Sequence, residues 1–469
     1  MEQGIRIATQ KPCFGALDDL KVVYCAVEIA APTAACIMGE WGADVIQIEN
    51  TGAGDTMRDT AYIKQLERRN QRSVCLNPFK DEGREALLAV LKDADVFIES
   101  SKGPAWAKRG ITDELLWSVN PRLVIVHVSG FGQDGDPAMY NRAAYDLTVA
   151  AYSGYMSQNG MQEQPVNPGP YAADYFNALM IVGAALAAVH KAKVTGTGES
   201  IDLAMYETLL RIGAYYLVDY TNAGIIWPRP GARNQNLCGI GEYRCNDGFV
   251  GLCLYGVKQN QYLLGAIGLG HLWGTPEIPE DCSALWLSNP HASLIQAKLE
   301  EYCAARSRYD IEKEFSENKI AAQVVMEYPD LVAEEHLKLR GDWLEWETAE
   351  GQTFKGIGVF PKFRNNPGQV WRPMPPLGHD TADVLKKAGL DDEQIKLLAE
   401  AGVIKLGHVE AGPVGLGTVE PGTVEAGTVE PGTVEAGQVR PGQAQPGEAQ
   451  PGQAQPGEAQ PGQAKEKEQ

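Results

Sequence analysis

The sequence predicts an α/β protein with a large domain on a mostly parallel sheet and a smaller α+β domain after it. Three observations predict this. Across the first 220 residues, short strand-like apolar runs alternate with segments of helical spacing. Connections of that kind cross over right-handed, so the strands lie parallel and helices cover both faces of the sheet. The texture then changes near residue 221 and again near residue 406.

The elements follow in order. Residues 20–27 read as a buried strand, and 32–41 as a helix opening near Thr33. Residues 44–49 and 73–77 are strands, and 80–93 carry Leu87, Leu88, Val90 and Leu91 at helical spacing. A strand at 95–99, a helix at 112–119 and a strand at 123–128 come next. Residues 175–190 are apolar almost all round, which reads as a buried helix. Tyr243 and residues 248–255 suggest short strands, and 259–269 a helix, in the smaller unit. Helices at 381–388 and 391–400 close the folded part; Asp391 and Asp392 open the second, and Gly402 follows its end.

This gives four stretches: 1–220, the first part of the large domain; 221–330, the small domain; 331–405, a return segment completing the large domain; and 406–469, a low-complexity tail. In the tail, GTVEPGTVEAG and PGQAQPGEAQ recur with periods of five and ten residues, and no aromatic residue appears. Such a segment buries too little apolar surface to offset the entropy of ordering it, so it is expected to be disordered.

Composition excludes several functions. The chain has 469 residues, 44% of them hydrophobic, and a formal net charge of −20. That excess of acid argues against a nucleic-acid partner, which calls for a basic face. The first residues lack a signal pattern, and the longest near-apolar run, 178–189, is too short to span a bilayer. The expectation is a cytoplasmic protein without a membrane partner. Nine cysteines with no CxxC read as reduced thiols, and seven histidines without an HExxH or HxxxH pattern predict no metal site. No GxGxxG follows the first strand, so the architecture is Rossmann-like without the dinucleotide fingerprint.

Three features carry candidate chemistry. Asp174 opens the apolar helix. It is either an ordinary N-cap or a functional carboxylate kept ionised by the helix N-terminus and nearby N–H groups. Lys102, Lys108 and Arg109 lie in SKGPAWAKRG directly after the strand DVFIES, where open parallel sheets bind ligands. A basic turn there suits phosphates, or is merely solvated; Arg68, Arg69 and Arg72 form a second such group. SGFGQDG at 129–135 is a glycine-rich turn after another strand, a weak signal for a backbone approaching a ligand.

The segments EIAAPTAACIMGEWGADVIQIEN, RRNQRSVCLN, DVFIESSKGPAWAKRGITDELLW, NPRLVIVHVSGFGQDG, YAADYFNAL, GTGESIDLAMYE, GHLWGTPEIPE and PKFRNNPGQVWR occur in that order. With them the chain resembles the class III CoA-transferases from about residue 15 to residue 403. The resemblance implies a Rossmann-like large domain, a small domain and a homodimer of interlocked subunits. It puts the family's catalytic aspartate on Asp174 and the CoA-contacting residues on Lys102 and Arg109. It implies no cofactor and no metal, with CoA as a substrate. Within the family the likeness is to carnitine-using members. The implied reaction moves CoA from γ-butyrobetainyl-CoA or crotonobetainyl-CoA to L-carnitine through an aspartyl-CoA thioester, so the expected partners are CoA thioesters and small betaine carboxylates. A quaternary ammonium favours aromatic faces, which makes Tyr171, Tyr175, Tyr220 and Trp227 cage candidates. The alternatives are a transferase for another small acid, an acyl-CoA racemase and a non-catalytic CoA-binding protein. Related racemases carry a His-Asp pair where this chain has Tyr145 and Asp146, which favours transfer.

Overall fold

The computed structural model describes residues 7–407. The repetitive segment beyond them, and the disorder expected of it, lie outside the described residues. Strand β1 (Lys21–Cys25) leads into α1 (Ala30–Glu40), β2 (Asp44–Glu49), α2 (Ile63–Glu67), β3 (Gln71–Leu76) and α3 (Asp81–Leu91). Then come β4 (Val96–Ser100), the one-turn α4 (Ala105–Lys108), α5 (Asp113–Val119) and β5 (Val124–Ser129). After α6 (Pro137–Tyr140) and α7 (Asp146–Tyr152), the long α8 (Ala172–Thr195) returns the chain to β6 (Ser200–Ala204), which α9 (Met205–Ile212) and α10 (Ala214–Ala223) follow.

The first six strands pair in parallel in the order β3-β2-β1-β4-β5-β6. The class is thus mixed α/β with a mostly parallel central sheet. Alternation along each strand sends successive residues to opposite faces. Val22, Tyr24, Val45, Ile98 and Val126 pack under α1 and α8. Val23, Ile46, Val74, Phe97 and Ile125 pack under α3 and α5. Both faces are therefore buried, as a parallel sheet requires.

Helix α1 starts earlier than its sequence suggests. Pro32 falls in the first turn, where its missing N–H costs nothing. Thr33 lies inside the helix and donates its hydroxyl to Glu67 Oε2 at 2.5 Å instead of capping. Helix α8 differs more. Its buried positions, among them Ala173, Ala178, Ile181, Ala185, Val189 and Ala192, form one stripe toward α1 and the sheet, while Leu179 and Met180 are 56% and 42% exposed. By length and composition alone α8 could cross a bilayer; its packing on α1 accounts for the apolar stripe without one.

A smaller antiparallel sheet follows, β7 (Ile240–Cys245), β8 (Gly248–Cys253) and β9 (Ala321–Val324), in that order. Helices α11 (Val257–Ala266), α12 (Ala292–Ala304) and α13 (Arg308–Glu317) build a separate core with it around Tyr243, Leu263, Ile295 and Phe315. Cys253 is exposed on β8, and all nine cysteines are free thiols.

The chain goes on through α14 (Tyr328–Ala333), α15 (Glu335–Leu339) and the hairpin β10 (Trp343–Glu347) with β11 (Thr353–Ile357), then α16 (Thr381–Lys387) and α17 (Asp392–Glu400). Strand β12 (Ile404–Lys405) adds to the edge of the large sheet, antiparallel to β3. Buried polar groups fasten this return. Asp380 accepts the Ser73 N–H at 2.9 Å and pairs with Arg372 at 3.1 Å. Burial opposes its ionisation, but His379 and Arg372 hold its carboxyl down at about 2.

His127 on β5 ties α5 to β4, facing Glu99 at 2.7 Å and Asp113 at 2.9 Å. Burial disfavours its charge, yet the two carboxylates push its pKa up to about 9, so the ring is a cation at neutral pH. That clamp holds the end of β4, from which the basic turn departs.

Candidate active site

Strand order reverses at β1, where β2 lies on one side and β4 on the other. Ligands in open α/β sheets sit beyond the carboxyl ends of the strands at such a switch point. A cleft of about 880 Å³ opens there, walled by the turn after β1 (Val27, Glu28, Ile29), the turn after β4 (Ser101, Lys102) and the segment Asn141 to Tyr145. Asp174, Lys102, Lys108 and Arg109 all line it. The fold thus gathers Asp174 and the basic turn that carries Lys102 and Arg109 in one cavity.

Each side chain has a local reason for its place. Gly103 takes a φ of +45°, and a Cβ there would lie 2.6 Å from the Tyr140 ring, so the turn carrying Lys102 needs glycine. Trp106 anchors α4 in the core against Phe97 and Phe79, with ring centroids 5.3 and 5.2 Å away. Buried on that side, the short helix leaves Lys108 and Arg109 exposed. The Arg109 guanidinium lies 4.2 Å from the Phe79 ring centre, and the Lys108 ammonium 5.7 Å from that of Tyr140. Both partners are uncharged, so these cations remain available to an anion. Arg142, missed in the sequence, lines the same cleft.

The second basic group has another fate. Arg68 pairs with Asp55 at 2.6 Å, Arg69 with Glu40 at 2.7 Å and Arg72 with Asp44 at 2.9 Å. All three arginines are buried in ion pairs and are not a phosphate site; of their partners only Asp55, held by Arg68, lines the cleft.

Asp174 stands third in α8, after Tyr171, Ala172 and Ala173. It is not the cap. The cap comes from another helix: Asp146, at the start of α7, accepts the N–H groups of Ala173 at 2.8 Å and Asp174 at 3.3 Å. Tyr171 turns the chain into α8 with a left-handed φ of 52°. The expectation that the helix start keeps Asp174 ionised is therefore corrected. Burial first, then the charges of Asp146 and Glu28, push its carboxyl up to about 7.

Glu28 left no signal in the sequence. It takes a left-handed φ of 67°, rare outside glycine. Asp55 holds its N–H at 3.2 Å, Arg68 donates to its carbonyl, and Thr56 donates to its carboxylate. The buried Arg68–Asp55 pair thus aims Glu28 into the cleft.

The four aromatic candidates do not assemble around Asp174. Tyr175 donates its hydroxyl to Glu67 at 3.0 Å, and Tyr171 is 55% exposed. Tyr220 and Trp227 line a separate cavity of about 310 Å³. Among the described residues, no cluster of three or more His, Cys, Asp or Glu is arranged to hold a metal ion.

Residues 17–381 match the model of a family described as CoA-transferase family III. The L-carnitine CoA-transferase of Proteus mirabilis (strain HI4320) is 45% identical over 397 residues, covering 84% of this chain and 98% of that protein. The L-carnitine CoA-transferase of Proteus sp. (strain LE138) matches to the same extent. A crystal structure of a CAIB/BAIF family protein from Brucella suis superposes with a TM-score of 0.68 at 25% identity, over 80% of this chain and all of that one. Rv3272 from M. tuberculosis, at 23% identity, shares the fold with a TM-score of 0.68, over 79% of this chain and 99% of that one.

The raised pKa of Asp174 has a consequence for stability. The folded chain holds that proton more tightly than the unfolded chain, whose carboxyl titrates near 3.8. Stability therefore falls as pH rises from about 4 through about 7, and the full cost is present above that window. Asp174→Asn is expected to raise the stability by about 1–4 kcal/mol at pH 8, with the gain shrinking toward pH 4. Calorimetric melts at the two pH values check this; a variant no more stable than wild type at pH 8 contradicts the assignment.

Proposed function

The chain belongs to CoA-transferase family III and is an enzyme of the CoA-transferase class; on that premise we propose that it moves CoA from γ-butyrobetainyl-CoA or crotonobetainyl-CoA to L-carnitine, with Asp174 as the acyl-accepting carboxylate. The observation that carries this is the cleft itself, in which the Asp174 carboxylate and the cations Lys102 and Arg109 line one cavity. The identity to relatives described as L-carnitine CoA-transferase supports the choice of acid.

In this reading Lys102 and Arg109 bind the CoA phosphates, which fixes the thioester near Asp174. Ionised Asp174 attacks the thioester carbonyl carbon, and the C–S bond breaks to give a mixed anhydride and CoA thiolate. The thiolate attacks the aspartyl carbonyl, which releases the donor acid as its carboxylate and leaves an aspartyl-CoA thioester. The acceptor carboxylate attacks that thioester and expels the thiolate again. Attack of the thiolate on the acceptor's carbonyl then forms the new acyl-CoA and frees Asp174. Charge is conserved at each step and no net proton is taken up. The apolar stripe of α8 behind Asp174 helps to exclude water, which would hydrolyse the anhydride. Tyr145 lines the cleft where related racemases carry a histidine, which favours transfer over racemisation.

The proposal extends to organisation. Residues 1–220 and 331–405 form the CoA-binding body, and 221–330 a smaller unit. The enzyme works in the cytoplasm as a homodimer. Leu179 and Met180 on α8, Tyr215, Leu217 and Val218 on α10, and Ile226 after it are exposed apolar residues, which a second copy would cover. Light scattering is expected to give twice the chain mass, and a monomer at assay concentration would remove the homodimer.

Asp174→Asn is expected to fold and to lose exchange between a betaine acyl-CoA and labelled carnitine by at least about 10³-fold. Wild type incubated with acyl-CoA should carry CoA on the peptide containing residue 174 by mass spectrometry. Turnover that survives the substitution would defeat the proposal. Lys102→Ala and Arg109→Ala should each raise the KM for acyl-CoA about 5- to 20-fold, with kcat changed less than about threefold. Steady-state kinetics in varied acyl-CoA check this, and an unchanged KM would remove the phosphate role.

A further inference from the structure

Helix α8 begins with backbone N–H groups that need an acceptor, and an aspartate in the first turn ordinarily competes for them. Asp174 does not. Asp146 reaches across from α7 and takes the Ala173 and Asp174 N–H groups on one oxygen, and the Asn167 side-chain N–H on the other at 2.8 Å. Its side chain is buried, 6% exposed, so the contact is built in and not incidental. Among the described residues, the Asp174 carboxylate accepts no hydrogen bond from the helix start.

We propose that Asp146 is a positioning residue for Asp174: by occupying the first N–H groups of α8 from a neighbouring helix, it leaves the Asp174 carboxylate unbonded and turned to the cleft. This rests on the reading of Asp174 as the acyl acceptor. A carboxylate that accepts backbone N–H groups is stabilised as an anion and attacks carbonyls poorly. One without them is a stronger nucleophile once ionised. Asp146 contributes twice, since it removes the donors and adds a like charge nearby.

The surroundings bound the effect. Glu28 approaches Asp174 from the turn after β1, and Asp146 from α7. Lys102, Lys108, Arg109 and Arg142 line the cleft they share. Glu49 and Asp55 line it too, but are engaged by Arg58 and Arg68. Tyr175, next on α8, donates its hydroxyl to Glu67, and the α1 and α9 residues lining the cleft, Ala30, Ala31 and Met205, carry no charge.

Two substitutions separate positioning from mere support. Asp146→Asn keeps an oxygen for the N–H groups and removes the charge; Asp146→Ala removes both. In the wild type the acid limb of kcat/KM for CoA exchange should lie near the Asp174 midpoint of about 7. Asp146→Asn should move that limb to lower pH by roughly half a unit or more. Asp146→Ala should lower kcat about tenfold or more with KM for acyl-CoA little changed, and the Asn variant should recover most of that loss at its own optimum. Circular dichroism and melting curves report folding, and if the Ala variant fails to fold, the limb of the Asn variant decides alone. An unshifted limb in Asp146→Asn overturns the proposal, as does full kcat in a folded Asp146→Ala. Asp174→Asn runs beside them: if it still exchanges CoA, the acyl-acceptor reading falls and this proposal with it, whereas an inactive Asp174→Asn beside an unshifted limb sinks the Asp146 role alone.

Discussion

The packing of α8 on α1 is the contact on which the site depends. Ala30, Ala31, Ala34 and Ala35 on one helix meet Ala178, Ile181, Val182 and Ala185 on the other. Small side chains let the two axes come close, and the seam has no slack, since adding bulk to such a core costs about 1–3 kcal/mol. Both helices start at the cleft: Ala30 and Ala31 line it from α1, and Asp174 from α8. The separation of two helix axes thus fixes the distance between the turn after β1 and the carboxylate opposite.

Beneath that seam the protein stores charge. Glu49 with Arg58, Asp55 with Arg68, and Glu40 with Arg69 are ion pairs with side chains almost wholly out of water. Taking such ions out of water is costly, and isolated buried pairs are weak stabilisers. These are not isolated. Gln47 donates to Asp55 at 3.1 Å, and Ser73 to Glu49 at 2.5 Å. A fully bonded network of this kind admits one arrangement, and Glu28 inherits its unusual backbone from it. Rigidity is the return for the desolvation, and Glu49 and Asp55 carry it to the cleft wall.

The fold was largely legible in the sequence because its strands are buried on both faces and read as unbroken apolar runs. The strand at 44–49 and the bounds of the final two helices coincide with the structure within a residue or so. What misled was context. Helix α8 is apolar nearly all round, so composition could not mark the flank where Leu179 and Met180 face outward. Arg68, Arg69 and Arg72 look like a basic patch because their acidic partners lie 13 to 29 residues earlier. Asp174 could be located by its place at a helix start, but not its raised pKa, because burial in the folded chain comes first among its causes, ahead of the charges of Asp146 and Glu28. Asp146 was visible only as the neighbour of a tyrosine.

The last strand, β12, pairs Ile404 with Leu76 and Lys405 with Cys75. More than three hundred residues separate these partners. A ribosome emits the six parallel strands and their helices long before it emits the strand that borders β3. Until then the β3 edge stands open, with unpaired N–H and C=O groups that other nascent chains can join. The nascent polypeptide must keep that rim guarded through most of its own translation, and only the final stretch of the described chain, arriving antiparallel, seals it.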